Sequence, residues 1–96
     1  MDKKDKLMLL EAIKHSDILP SGQKNILSII CSSEYPVSAK HVEKIIGFTK
    51  QTVNFSIKAL LTRNFIVREK DGVFVYKPNQ SRAIELIKRY KETLVK

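Results

Sequence analysis

The sequence is poor in cysteine, glycine and proline, with one, three and three in 96 residues, and its longest apolar run is four residues, Leu7 to Leu10. Each shortage excludes something. The lone thiol, Cys31, cannot close an internal disulfide or build a cysteine-rich zinc site, so a reducing compartment is the simplest home. A four-residue apolar run falls short of a signal-peptide core of roughly 7 to 15 residues and of a spanning helix of about 20, so the expected location is the cytoplasm. No internal repeat or low-complexity tract is present, and the lysine-rich start Met1 to Lys6 reads as a frayed end.

Catalytic chemistry is equally scarce. His15 and His41 stand isolated, no carboxylate pair suits a catalytic metal, and no base accompanies a nucleophile. A glycine-rich phosphate loop is absent as well. Core packing or surface exposure accounts for both histidines and for Cys31, whose use as a redox switch is a weak reading because a single buried cysteine is usually inert. The chain is therefore expected to be no enzyme and to use no metal or other cofactor.

Hydrophobic residues make up 43% and charged residues 29%, enough for one modest core and incompatible with disorder. A chain of this size buries only about 60 to 70% of its unfolded surface, so oligomerisation is a natural supplement. The formal charge of +8 favours a polyanionic partner. Its distribution says more than its total. Residues 1 to 37 are net neutral, and from Ser38 to Asn64 five bases (Lys40, Lys44, Lys50, Lys58, Arg63) face one acid, Glu43, for a net of +4. Residues 65 to 78 add +1 and the remainder +3. The excess lies in the second half.

Periodicity and punctuation divide the chain into a helix from Leu7 to Ser16 and a second from an N-cap at Ser21 to about Cys31. An extended link follows at Glu34 to Val37, because Pro36 biases Tyr35 away from helical geometry. Ser38 then caps a third helix, Ala39 to Ile46, with Val42, Ile45 and Ile46 expected inward, and Gly47 suits the left-handed position past its end. Thr49 caps a fourth helix from Lys50 to about Arg63, and Asn64 accepts the positive φ expected after it. Phe65 to Lys70 and Val73 to Lys77 are β-rich runs flanking Asp71 and Gly72, the signal of a two-residue type I′ hairpin turn. Ser81 is expected to cap a last helix carrying the stripe Ala83, Ile87, Tyr90 and Leu94. Its basic residues, Arg82, Lys88, Arg89, Lys91 and Lys96, read as a solvated outer face.

Two helices joined by a short glycine-containing turn are the sequence form of a helix-turn-helix. From Val37 to Pro78, 42 of the 96 residues, the chain resembles the winged helix-turn-helix regulators of bacteria and archaea, in the broad MarR-like and ArsR-like group. The stretch Val37 Ser38 Ala39 Lys40 His41 Val42 Glu43 Lys44 Ile45 Ile46 Gly47 Phe48 Thr49 Lys50 Gln51 Thr52 Val53 Asn54 carries the likeness, followed by Ile57 Lys58 Ala59 Leu60 and Asn64 Phe65 Ile66 Val67 Arg68. Asn64 stands where such families usually have glycine, and the cysteine-rich metal-sensing motif of many ArsR-like repressors is absent. The resemblance implies a mainly α domain with a small β-hairpin wing and N- and C-terminal dimerisation helices. One domain spans 1–96, with an N-terminal helix at 1–20, a winged-helix core at 21–78 and a C-terminal helix at 79–96.

The residues themselves support a DNA-reading helix. At about 100° per residue, Val53, Ile57 and Leu60 share one face of the fourth helix, while Gln51, Phe55, Lys58 and Thr62 lie opposite with Asn54 at their flank. Gln and Asn pair with adenine edges, Lys reaches guanine acceptors, and Phe touches thymine methyls. Gln51, Asn54, Phe55 and Lys58 are the expected base readers, with Thr49, Lys50 and Thr52 near phosphates at the helix start. Phe55 has a competing reading, packed beneath Phe74 or Tyr76. Ser38, Lys40 and Lys44 are expected on flanking phosphates, with Arg68, Lys70 and Lys77 of the wing as a backbone clamp.

The wide apolar arc from Leu7 to Ile13, with Leu9, Leu10 and Ile13 as its main residues, and the stripe Ala83, Ile87, Tyr90 and Leu94 read as a dimer interface placing two recognition helices about 34 Å apart. Its alternative is that the last helix packs on its own subunit. The expected function is a homodimeric, sequence-specific double-stranded DNA-binding transcriptional regulator, a repressor occluding a promoter. It would work in the cytoplasm of a bacterial or archaeal cell, on the nucleoid. A small-molecule effector would need the cleft between the terminal helices and the winged core. The rivals are a winged-helix protein-interaction module and a plasmid or viral replication or partition factor.

Overall fold

The computed structural model describes residues 3 to 95. Its elements run α1 (Lys3–Lys14), α2 (Ser21–Ser32), β1 (Val37–Ser38), α3 (Ala39–Ile46), α4 (Lys50–Thr62), β2 (Ile66–Asp71), β3 (Val73–Pro78) and α5 (Gln80–Leu94). The expected fold is present, five helices and a small antiparallel sheet. It is a winged helix flanked by terminal helices.

Local capping chemistry explains the central boundaries. The Ser38 hydroxyl accepts from His41 N–H at 3.2 Å to open α3, and Gly47 ends it at φ 74°, where a Cβ would be strained. Thr49 repeats the device on α4, accepting from Thr52 N–H at 3.2 Å. At the far end of α4 Phe65 N–H reaches Leu60 O at 2.9 Å and Asn64 N–H reaches Leu61 O at 3.0 Å, with Asn64 at φ 62°. That pair of bonds is a Schellman closure, and asparagine adopts the left-handed angle it requires.

Other boundaries differ from expectation. α1 begins at Lys3, so Lys3 to Lys6 are helical, with Asp5 in the first turn opposing the helix dipole; Met1 and Asp2 lie outside the described residues. Ser21 is the first helical residue of α2. Pro20 takes the cap position in extended geometry, and its carbonyl accepts from Lys24 N–H at 2.9 Å. Asn79, two residues before Ser81, caps α5 by accepting from Ser81 N–H at 3.2 Å. The expected link at Val37 is a short strand, β1, which pairs antiparallel with β3 through Val37↔Tyr76 and Ser38↔Val75. The sheet order is β1-β3-β2. Two residues are too few for alternation to reveal a strand. In the hairpin Lys70 faces Phe74 and Asp71 faces Val73 across Gly72, so Lys70 and Phe74 enclose three residues where a two-residue type I′ turn would enclose two.

One hydrophobic core unites these elements: Leu9 and Ile13 of α1, Ile26, Leu27 and Ile30 of α2, Val42 of α3, Val53, Ile57 and Leu60 of α4, Phe65, Ile66, and Ala83 and Leu86 of α5. Val42 lies at its centre, whereas Ile45 is 55% exposed. At about 100° per residue Ile46 sits some 40° from Val42 and Ile45 some 60° to the other side, beyond the edge of this narrow contact.

Candidate nucleic-acid interface

The buried stripe of α4, Val53, Ser56, Ile57 and Leu60, fixes the rotation of the helix and turns the opposite face to solvent. Lys50, Gln51, Thr52, Asn54, Phe55 and Lys58 are all exposed there, as is Thr49 at the cap. The structure therefore brings the expected recognition-helix residues together on one open face. Thr49 donates its hydroxyl to that of Thr52 at 2.9 Å, so these two side chains are engaged with the helix start and each other. Phe55 is 73% exposed, which corrects the packing alternative: it does not lie beneath Phe74 or Tyr76.

Lys40 and Lys44 project from α3 into solvent, and Ser38 is half-buried by its capping bond. Among the described residues no salt bridge holds Lys40, Lys44, Lys50 or Lys58. In the wing, register places Arg68 opposite Tyr76 and Lys70 opposite Phe74, which puts all four side chains on one face of the hairpin. The Arg68 guanidinium lies 4.4 Å and the Lys70 ammonium 5.7 Å from the Phe74 ring centroid. These contacts hold two cations against an aromatic platform and leave their charges uncancelled. Lys77 departs from that group. It occupies the other face of the hairpin and pairs with Glu69, so the wing presents two free cations and one neutralised one.

The expected dimer residues divide. Leu9, Ile13 and Ala83 are sealed inside the chain's own core, because α1 packs against α2 and α5; this corrects their assignment to an intersubunit face. Leu10, Ile87 and Tyr90 are half-buried, and Leu94 is 61% exposed. Leu7, at the start of the expected arc, leaves large apolar surface, as does Ile84, which sequence periodicity missed. Arg82 is not solvated as expected: its guanidinium covers the Phe65 ring at 4.3 Å and donates to Glu85 at 2.6 Å. Lys96 lies outside the described residues.

The isolated titratable residues are accounted for by packing. His15 stacks on Tyr90 with ring centroids 5.6 Å apart and approaches Glu11 at 3.4 Å. Cys31 is a buried free thiol; burial pushes its pKa up to about 12, against a smaller opposing pull from Lys6. A thiol so held is a poor nucleophile.

Neither a family model nor a curated relative matches the sequence. Solved structures do. A protein of unknown function from Listeria innocua Clip11262 is similar over 95% of this chain and 68% of its own, with 26% identity and a TM-score of 0.62. A MarR/EmrR family transcriptional regulator from Acinetobacter sp. ADP1 is similar over 96% of this chain and 68% of its own, with 19% identity and a TM-score of 0.64. The ST1889 protein of the thermoacidophilic archaeon Sulfolobus tokodaii matches 96% of this chain and 94% of its own, with 21% identity and a TM-score of 0.57. The fold is thus the winged helix found in a MarR-type regulator.

Proposed function

We propose that this chain is a transcriptional regulator that binds double-stranded DNA sequence-specifically as a homodimer and represses by occluding a promoter. The observation that carries the reading is the outward face of α4, where Gln51, Asn54 and Lys58 stand exposed and, among the described residues, without an ion pair or hydrogen bond from their side chains, in a chain whose α3 and wing carry further exposed cations. Gln51 and Asn54 supply the paired donor and acceptor that adenine edges match, and Lys58 supplies a donor for guanine. Lys40, Lys44, Lys50, Arg68 and Lys70 neutralise phosphates and set orientation. The similarity to a MarR/EmrR regulator supports the same role. Such a protein needs no cofactor and would act on the nucleoid in the cytoplasm of a bacterial or archaeal cell.

The dimer face is taken to be the exposed Leu7, Ile84 and Leu94 with the half-buried Leu10, Ile87 and Tyr90, apolar surface that the α1/α5 pair leaves wholly or partly uncovered. A two-fold axis there would present the recognition helices to half-sites about 34 Å apart.

Selection of bound duplexes from a random library at about 0.15 M salt tests the proposal, with wild type and Gln51→Ala/Lys58→Ala side by side. The expected result is an inverted repeat with half-sites about 10 base pairs apart, lost in the variant. No enrichment, with residual binding that vanishes as salt rises, would overturn it and favour a protein-interaction module.

A further inference from the structure

The chain has four phenylalanines; two are wholly or partly buried, and a third, Phe74, is 46% exposed but engaged by cations. Phe48 packs against the core, Phe65 is buried with the guanidiniums of Arg63 and Arg82 over its ring at 5.3 and 4.3 Å, and Phe74 carries Arg68 and Lys70. Phe55 makes no ring or cation contact among the described residues and leaves 73% of its surface in solvent. On the helix its apolar neighbour is the half-buried Ala59, one turn after. Its exposed helical neighbours are Gln51 and Thr52 one turn before, Asn54 beside it and Lys58 one turn after. A protein-docking hot spot characteristically sits in a well-packed pocket, ringed by contacts that exclude water. A solitary ring in a hydrogen-bonding and cationic field has a different complement. The major groove of B-DNA offers donors and acceptors at every base pair and one apolar group, the C5-methyl of thymine.

We infer that Phe55 is a specificity-determining residue that reads a thymine methyl, one per half-site, in the DNA bound by α4. The inference rests on the DNA-binding reading above and adds the base that the exposed ring selects. Gln51 and Asn54, placed one turn before and directly beside Phe55, suit the adenines of the same A·T-containing segment. Burying one methyl against the ring accounts for about a fourfold preference per half-site.

The experiment uses the full chain and the duplex that the random-library selection yields. Each thymine is replaced in turn by deoxyuridine, which removes the methyl and keeps every hydrogen-bonding group, and affinity is measured for wild type, Phe55→Ala and Phe55→Leu. The expected result is one thymine in each half-site whose replacement weakens wild type about fourfold, weakens Phe55→Leu measurably, and leaves Phe55→Ala unchanged. Phe55 is exposed, so unchanged thermal melts of both variants are expected to accompany this result. A duplex that is enriched but shows no methyl effect, or the same loss in wild type and Phe55→Ala, overturns the role of Phe55 and leaves the DNA-binding reading standing. Failure of any duplex to be enriched overturns both.

Discussion

On α5, Arg82 donates to Glu85 at 2.6 Å and Arg89 to Asp17 at 3.2 Å, whereas Lys40, Lys44, Lys50 and Lys58 of α3 and α4 have no acidic partner among the described residues. The apolar side chains divide differently. The terminal helices bury Leu9, Ile13, Ala83 and Leu86 and expose aliphatic surface at Leu7, Ile84 and Leu94, while α4 buries its stripe and exposes a single ring, Phe55. Counting charge along the chain therefore gives a partial picture. Part of the C-terminal excess is cancelled locally, leaving Lys88 and Lys91 of α5 without an acidic partner among the described residues, whereas on α3 and α4 none of the four lysines is cancelled. Exposed ion pairs such as those of α5 stabilise by about 0 to 1 kcal/mol, so their clearer effect is on where the field lies. The terminal pair is built for packing and the α3–α4 face for contact with something polar and anionic.

That contrast is open to attack by substitution. The largest effect is expected at the terminal pair. Ile13→Ala empties a fully buried site and should cost about 3 kcal/mol in urea unfolding, whereas Lys58→Ala on the open face should change stability by less than about 0.5 kcal/mol. Equal stability losses in the two variants would erase the distinction. Next come the devices that aim the α4 face. Gly47→Ala forces a Cβ into φ 74° and should cost about 1 to 2 kcal/mol, even though nothing lies within 4 Å of the added atom. Thr49→Ala removes the cap and should cost about 1 kcal/mol; both are read from denaturation midpoints.

A subtler test concerns Cys31. Its folded pKa, about 12, lies above the ordinary thiol value, so the folded state keeps a proton that the unfolded chain gives up. This contribution is fully present below about pH 9 and is lost as pH rises from there towards 12. Cys31→Ala should therefore show a shallower fall of the urea midpoint between pH 8 and 10.5 than wild type, and parallel slopes would mean the thiol is not desolvated. The smallest effect is electrostatic: Lys50→Ala should lower the slope of log affinity against log salt by about one per half-site for a bound duplex.

Much of this fold was legible because the signals were chemical and local. Ser38, Gly47, Thr49 and Asn64 each satisfy a backbone need within a few residues, so their places follow from short-range physics. The α4 face was legible for a related reason, since a 13-residue helix with one apolar stripe has a defined outside. What failed depends on distant partners. Leu9 and Ile13 of α1 and Ala83 of α5 belong to apolar stripes whose period shows that something covers them, and for these three the cover proved to be the chain itself. Arg82 reads as a surface base until Phe65, 17 residues away, lies under it. Lys77 reads as a free cation of the wing, and the register that delivers Glu69 to it was misplaced by one residue at the tip. Ile45 was assigned inward by spacing alone, and an eight-residue helix buries a narrower arc than that spacing assumes.

The central claim is that the outer face of α4 selects DNA sequence while the stability of the molecule resides elsewhere. Its most direct test is the affinity ratio between the selected duplex and a scrambled duplex, measured at one salt concentration for wild type and for Gln51→Ala/Asn54→Ala, with the unfolding midpoint of each. A ratio that falls at least about tenfold with an unchanged midpoint is predicted, since each paired base contact is worth about 1 to 3 kcal/mol of discrimination. An unchanged ratio in a fully folded variant would contradict the account.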